Sequence, residues 1–511
     1  MPSLLGIDSG LTVTKAVVFD IDGTVISVAR RRVSQRIPKP HFVERDMDGL
    51  WSATAEAIRE ALALSGRPAS DILAVAATAH GDGIYLVDEG LRPLGHGIVS
   101  LDSRAGDIVD LWTTNGVAEK AMTLTGQAPH VSAPSALLAF IRDHEPERFS
   151  HIGHIMSCKD WLRFCLTGSA GTDRTEASTS FVDVETQGYS EEALHLFGLE
   201  ALSDALLPAA RSDEIVGRVT SEAARLTGLV EGTPVAAGLH DVVASALGAG
   251  GYAEGVVAIV AGTYSINETL ISKARVDRRW FCRNAIAPGI WNAMSISPAS
   301  SANYEWFIEK LCAADWARCE VEGISIHALL ASEIDAALTR PSPLLFHPYL
   351  YGSPYGASAS GSFFGLGGWH DRGDMLRAVL EGIAFNHRIH VDALREGFAF
   401  TEARLSGGIS RNPAVVQMFA DVLAMPVTVT GTDEAAAWGA ALCAGVGAGI
   451  YHDLQSTSNR REPGITCRPD PGRSSDYEKR YRLFIEIAET MKPLWPKIAG
   501  LADESAVHPA Q

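Results

Sequence analysis

The chain has 511 residues, 46% hydrophobic and 20% charged, which excludes a largely disordered protein and predicts at least two folded domains. A formal charge of −18 excludes a general basic surface for nucleic acid, so small polar or phosphorylated molecules are the expected partners. Seven cysteines without CxxC or Cys/His spacing, and no apolar run of membrane-spanning length, predict a cytoplasmic protein with no structural zinc, disulfide framework or membrane partner.

Leu4 to Asp8, Lys15 to Asp20 and Val25 to Ala29 read as strands, the last two joined at the hairpin dipeptide Asp22-Gly23. Between the first two lies Asp8-Ser9-Gly10-Leu11-Thr12. Gly10 admits close backbone approach to a ligand, Thr12 adds a hydroxyl, Lys15 lies close by, and Asp8 at the strand end can bind a metal-bound water. Met47 to Leu64 has the apolar spacing of an amphipathic scaffold helix. Ile72 to Ala77 predicts a strand running into the turn Thr78 to Gly83, whose side chains are expected to be exposed at a sheet edge or cleft. His80 and Asp82 there can hydrogen-bond sugar hydroxyls or serve the turn alone. Leu101-Asp102-Ser103-Arg104 repeats the pattern of polar groups after an apolar run, with a surface ion pair between Asp102 and Arg104 as the alternative. Gly168 to Gly188 reads as a loop or a short strand excursion, and a first domain is expected to end near Ala249.

The chemistry is expected between Gly238 and Asn267. Asp241 stands between an apolar run and a small-residue helical run, so its carboxylate points out of the core, or merely caps a helix. Val256 to Ala261 is a buried strand ending in Gly262-Thr263, a turn able to offer N–H groups and a hydroxyl to a phosphate. This strand, small-residue turn and strand echo the start of the chain. Further on, Pro341 to Gly365 reads as a long surface connection, Leu376 to Leu394 as a helix, and Arg404 to Ser410 as a strand ending in the glycine pair Gly407-Gly408. Asn412-Pro413 supplies an N-cap and a first-turn proline, and a phosphate or purine can lie against the glycines. Residues 426 to 430 read as a strand, Glu434 to Val446 as an alanine-rich helix, Ser456 to Gly472 as an exposed polar stretch, and Tyr477 to Ile498 as a last helix. No GxxxxGK[ST] loop, GxSxG elbow, HExxH or complete dinucleotide fingerprint is present.

With Asp8-Ser9-Gly10, Gly238 to Asp241, Gly262-Thr263 and Gly407-Gly408 in this order, the chain resembles the FGGY family of carbohydrate kinases over nearly its whole length. The segment Gly361 to Gly382, with Asp374 and Glu381, looks like the family's C-terminal signature. Ser132 to His144 matches the other signature in part, since Leu137 and Phe140 stand where lysine and tryptophan are usual, and Leu11 stands where many members have threonine.

The resemblance implies an α/β, two-domain actin-like ATPase (ribonuclease H-like) fold around a cleft. An N-terminal domain over 1–249 would hold the sugar and the base, a C-terminal domain over 250–498 the nucleotide, and 499–511 a tail. By similarity Asp241 is the catalytic base, Asp8 holds the Mg2+ shell, and Gly10, Thr12, Gly262 and Thr263 surround the phosphates of ATP, with Lys15 beside them. Gly407, Gly408 and Asn412, with Ser301 and Glu305 nearby, would carry the adenosine end. His80, Gly81, Asp82, Asp102, Arg104, His240 and Asp241 are the implied sugar contacts. The segments around His80, Asp102 and His240 look most like those of L-xylulose kinases, which implies a pentulose such as L-xylulose or D-xylulose. Erythritol, glycerol or ribulose as substrate, a catalytically silent sugar-sensing regulator, and an actin-like chaperone or filament protein are the alternatives. A homodimer is the candidate assembly.

Overall fold

The computed structural model describes residues 1–429, 431–432, 434–454 and 464–506. The chain divides into two compact α/β units that alternate along the sequence. The first comprises Met1–Glu254, Thr269–Met294 and Glu434–Glu462, and the second Gly255–Glu268, Ser295–Asp433 and Pro463–Gln511. No helix among the described residues is long and apolar enough to cross a membrane.

The first unit is built on a mixed sheet in the order Ile215–Arg218, Pro234–Ala236, Ile72–Ala79, Ser3–Ser9, Val13–Asp20, Val25–Arg32, with Leu239–His240 also beside Ile72–Ala79. The three N-terminal strands are antiparallel neighbours, and the turn between the second and third places Gly23 at φ 91°. Ser3–Ser9 and Leu239–His240 both run parallel to Ile72–Ala79. Helix Met47–Ser65 buries Met47, Leu50, Ala57, Ile58, Ala61 and Leu62 on one side of the sheet, the face that its apolar spacing predicts.

On the other side lie helices Asp241–Gly248 and Ala435–Gly447, rich in alanine and glycine for a steric reason. A Cβ added at Gly248 would stand 1.9 Å from the Ala435 carbonyl oxygen, one at Gly439 2.0 Å from that of Ala244, and one at Gly6 2.0 Å from that of Ala437. Backbone therefore packs directly on backbone, and the first turn of Asp241–Gly248 is held against the sheet.

The second unit repeats the hairpin-plus-parallel-strand arrangement. Val256–Ala261 pairs antiparallel with Ser265–Ile271 and parallel with Glu402–Ser406, which pairs parallel with Val427–Val429. The long helix Arg372–Gly397 begins in a capping box made by Asp371 and Asp374. Glu381, the other acidic residue of the C-terminal signature, is buried and ion-paired to Arg377 (2.7 Å) and Arg480. Both are scaffold residues here.

Several local expectations are corrected. Pro341 to Gly365 is no bare connection: Leu345–His347 pairs with Ser362–Phe364, and Leu345, Phe346 and His347 are buried. Three-residue strands give too little alternation to stand out among glycines and prolines. The stretch 168–188 contains a short helix, Arg174–Ala177, after the strand pair Thr172–Asp173 with Ala209–Ala210. Of the polar stretch 456–472, residues 456–463 lie outside the described residues, and Thr466–Cys467 is a strand beside Val427–Val429. The last helix is two helices, Pro471–Met491 and Trp495–Ala506, while 507–511 lie outside the described residues.

Candidate active site

In the first unit, parallel pairing brings three strand ends level. Asp8 is in register with Thr78, Thr78 with Leu239, and Ala79 with His240. The Asp8 end, the turn His80–Gly83 and the pair His240-Asp241 therefore emerge at the same carboxyl edge of one sheet, where open α/β sheets offer ligand sites. The hydroxyl of Thr78 donates to the Leu239 carbonyl (2.7 Å) and fixes the level.

Asp8 faces Lys15 across the hairpin, 3.3 Å apart, and Lys15 also reaches Glu434 at 3.2 Å, which Arg30 grips from its other oxygen. Burial pushes the Asp8 carboxyl above its ordinary value. Lys15 opposes the rise, and the charges of Asp241 and Glu434 add to it. Burial acts to lower the Lys15 ammonium, but Asp8 and Glu434 outweigh it and hold it above its ordinary value. Thr12 is exposed, and the Leu11 carbonyl is tied down by Gln35 (2.8 Å) and Arg45.

Asp241 is the first residue of its helix, where negative charge is stabilised by the unpaired N–H groups, and its side chain is one-third exposed. His240 precedes it, with its backbone N–H bonded to the Thr175 hydroxyl (2.9 Å) and its Nδ1 3.1 Å from Asp241 Oδ1. Gly81 makes room for this ring: a Cβ there would stand 1.7 Å from His240 Nε2. Burial alone would lower the His240 imidazole, but the charge of Glu176 and the bond to Asp241 raise it from 6.5 to about 9. Glu176 is itself buried, with Oε1 lacking a hydrogen-bond partner, and burial pushes it up to about 8.

A pH dependence follows from the raised imidazole. Its stabilising contribution is complete below about pH 6.5 and is lost as pH rises through 9. Urea midpoints measured from pH 6 to 9.5 should fall more steeply for the wild type than for His240→Gln. Equal slopes would refute the assignment.

Asp82 adopts a left-handed backbone, φ 57°, between two glycines. Its Oδ1 accepts from Arg283 Nη2 at 3.1 Å, and His130 lies 3.6 Å away. Burial disfavours the charge, yet Arg283 and His130 outweigh it and hold the carboxyl well below the usual range. Arg283 also donates from Nε to Gln127 Oε1 (2.7 Å), and Nη1 lies 3.5 Å from His240 Nε2.

Other expected contacts sit deeper. His80 is 3% exposed rather than displayed on the turn, bonds Tyr85 (3.2 Å), and is driven down to about 3 by burial and by Arg45, so it is neutral. Asp102 is fully buried: it accepts from the Val43 N–H (2.7 Å) and from Arg104, which also reaches Glu44 (2.8 Å). The Asp102–Arg104 alternative of an ion pair is the one found, but inside the protein rather than on its surface.

In the second unit, Val260 is in register with Ser406, so Gly262-Thr263 and Gly407-Gly408 leave the sheet from adjacent strands at one end. Thr263 is exposed, and Ser301 donates both its N–H (3.0 Å) and its hydroxyl to the Gly262 carbonyl. Gly407 has φ 108°. Beside it Tyr304, Glu305, Gly408, Ile409 and Asn412 line a cavity of 430 Å³, and Asn412 caps helix Pro413–Leu423 through the Ala414 N–H (2.8 Å).

Sequence reasoning missed Arg283, Gln127, Glu176 and Glu434 as neighbours of these groups. No local pattern marks them: Arg283 sits on the short strand Phe281–Asn284, and its partners Gln127 and Asp82 lie 156 and 201 positions away.

Two α/β units, each with an antiparallel strand-turn-strand motif beside a parallel strand, define the actin-like ATPase class. The chain belongs to the FGGY family of carbohydrate kinases: residues 3–248 match the family's N-terminal domain and 257–448 its C-terminal domain. It is similar to the L-xylulose/3-keto-L-gulonate kinase of Escherichia coli, 34% identical over 97% of this chain and 98% of that protein. A probable L-xylulose kinase of Pasteurella multocida is 32% identical over 96% and 99% of the two chains. Among solved structures, the xylulose kinase of Rhodospirillum rubrum superposes with TM-score 0.83 at 28% identity, covering 96% of this chain and 99% of that one. The chain is therefore a carbohydrate kinase, transferring a phosphoryl group from ATP to a sugar or polyol hydroxyl.

Proposed function

We propose that the protein phosphorylates a pentulose, L-xylulose or D-xylulose, with Asp241 as general base. The observation that carries this reading is the convergence of Asp8, Lys15, Asp82 and His240-Asp241 on one sheet edge, together with relatives named for L-xylulose. Phosphoryl transfer rests on positioning and charge neutralisation, and a carboxylate within reach of the hydroxyl accepts its proton as the P–O bond forms. Asp241 is one-third exposed at a helix start and held by His240, which leaves part of its carboxylate free to take a proton. Asp82, partly open, receives a distal hydroxyl. Asp102 and Arg104 are left as scaffold.

Asp8, Gly10, Thr12 and Lys15 are assigned to the phosphate and metal side of the first unit. Asp8 fits Mg2+: its partly exposed carboxyl stands at a strand end and already shares a cation, Lys15, at 3.3 Å, so it can hold a metal whose remaining ligands are phosphates and water. When bound, Mg2+ neutralises charge on the phosphates. In the second unit Gly262, Thr263 and Ser301 are assigned to phosphate, and the 430 Å³ cavity with Glu305, Gly408 and Asn412 to adenosine. Seven free cysteines support a cytoplasmic setting.

ADP release measured over a panel of pentuloses, pentitols, erythritol and glycerol tests the reading. The highest kcat/KM should fall on a xylulose; a preference of more than tenfold for glycerol or erythritol would displace it. A silent regulator is disfavoured by the retention of both Asp8 and Asp241.

A further inference from the structure

We propose that Glu434 is a positioning residue that takes over the Lys15 ammonium when Asp8 is required by the metal, so that one lysine serves Asp8 before the nucleotide arrives and its phosphates afterwards. The inference rests on the assignment of Asp8 to Mg2+ and of Lys15 to the phosphates, and adds a residue that reading does not use.

Pairing across the N-terminal strands puts three charges in a row. Asp8 is opposite Lys15 and Lys15 is opposite Arg30, and directly opposed residues of an antiparallel sheet project from the same face. Glu434 spans the row: its Oε2 lies 3.2 Å from the Lys15 Nζ, and its Oε1 accepts from Arg30. Lys15 is thereby shared, 3.3 Å from Asp8 and 3.2 Å from Glu434. Two acids and two bases cancel. With a divalent cation at Asp8 that balance is lost, and Lys15 is expelled from the row unless a second carboxylate already holds it.

Glu434 has the properties of the fixed partner. It occupies the N-cap of helix Ala435–Gly447, where a side chain ordinarily accepts from a first-turn N–H, yet its side chain makes no capping bond and is turned to Lys15 and Arg30 instead. The helix is pinned at the height of the row: the Ala437 carbonyl lies against Gly6, and Asp8 follows Gly6 by two residues on the same strand and so on the same face. Only 6% of the Glu434 side chain is exposed, against 27% of Lys15. Lysine suits the exchange. It carries a compact charge on a flexible stem with three donors, of which Asp8 and Glu434 take two and a phosphate oxygen can take the third.

The test is the Kd of ADP measured by isothermal titration, once with EDTA and once with saturating Mg2+; the ratio of the two is the gain that the metal confers. Loss of a lysine–phosphate contact weakens both measurements and cancels in the ratio. In Glu434→Gln, Lys15 is left to Asp8 alone, and the gain should fall about fivefold or more. Removing the competing charge as well, in Glu434→Gln with Lys15→Met, should restore the gain to at least the wild-type value. An unchanged gain in Glu434→Gln overturns the proposal, and so does a loss that persists in the double variant, the result expected if Glu434 only holds the fold. Should Glu434→Gln not fold, Lys15→Met alone decides: its gain should exceed that of the wild type, and an equal or lower one overturns the proposal. If the wild type itself shows no gain, the assignment of Asp8 to the metal falls, whereas a wild-type gain indifferent to both substitutions refutes the exchange alone.

Discussion

Asp241→Asn is expected to lower kcat about 10³-fold while the Kd for the sugar changes less than about threefold, the split expected of a general base. The substitution keeps the shape of the side chain and its place at the start of helix Asp241–Gly248, whose packing on Ala435–Gly447 involves Ala244 and Gly248 rather than residue 241. Stability should therefore be preserved to within about 1 kcal/mol, since the amide oxygen can still accept from His240 and only the charge of the pair is removed. Isothermal titration with sugar alone, beside steady-state kinetics, separates the two effects. Parallel loss of binding and turnover would make Asp241 a sugar ligand and not the base.

Gly407→Ala should destabilise the protein by about 3 kcal/mol and raise the KM for ATP about tenfold. The backbone at 407 has φ 108°, and a Cβ there would stand 2.3 Å from the Ala261 carbonyl oxygen on the neighbouring strand. Neither the strand nor the glycine can yield without breaking the pairing of Val256–Ala261 with Glu402–Ser406. Since Gly262 follows Ala261 directly, a shift there moves both glycine turns of the second unit. Urea denaturation and ATP titration of the variant give the two readouts; a midpoint equal to wild type with an unaltered KM would show that the turn is not constrained as described.

Much of the local structure was legible. Strand Val256–Ala261 coincides with its apolar run, the cap at Asn412 forms as its dipeptide predicts, and the repeated strand-turn-strand motif is found in both units. These features depend on side-chain alternation and turn chemistry within a few residues. His80 was misread as displayed because a glycine-flanked turn looks open from the sequence, whereas the Tyr85 hydroxyl and Arg45 enclose it.

What composition and order determined on their own was the pair of strand-turn-strand motifs, the acidic residue opening a helix, and, by resemblance, the family. Only the tertiary structure decided which charges face each other: Lys15 meets Glu434 across 419 positions, and Arg283 meets Asp82 across 201. Short-range pattern encodes how a segment folds, but a buried ion pair is chosen by desolvation, which penalises each charge until the folded chain supplies its partner. That penalty is set by surroundings no linear window contains.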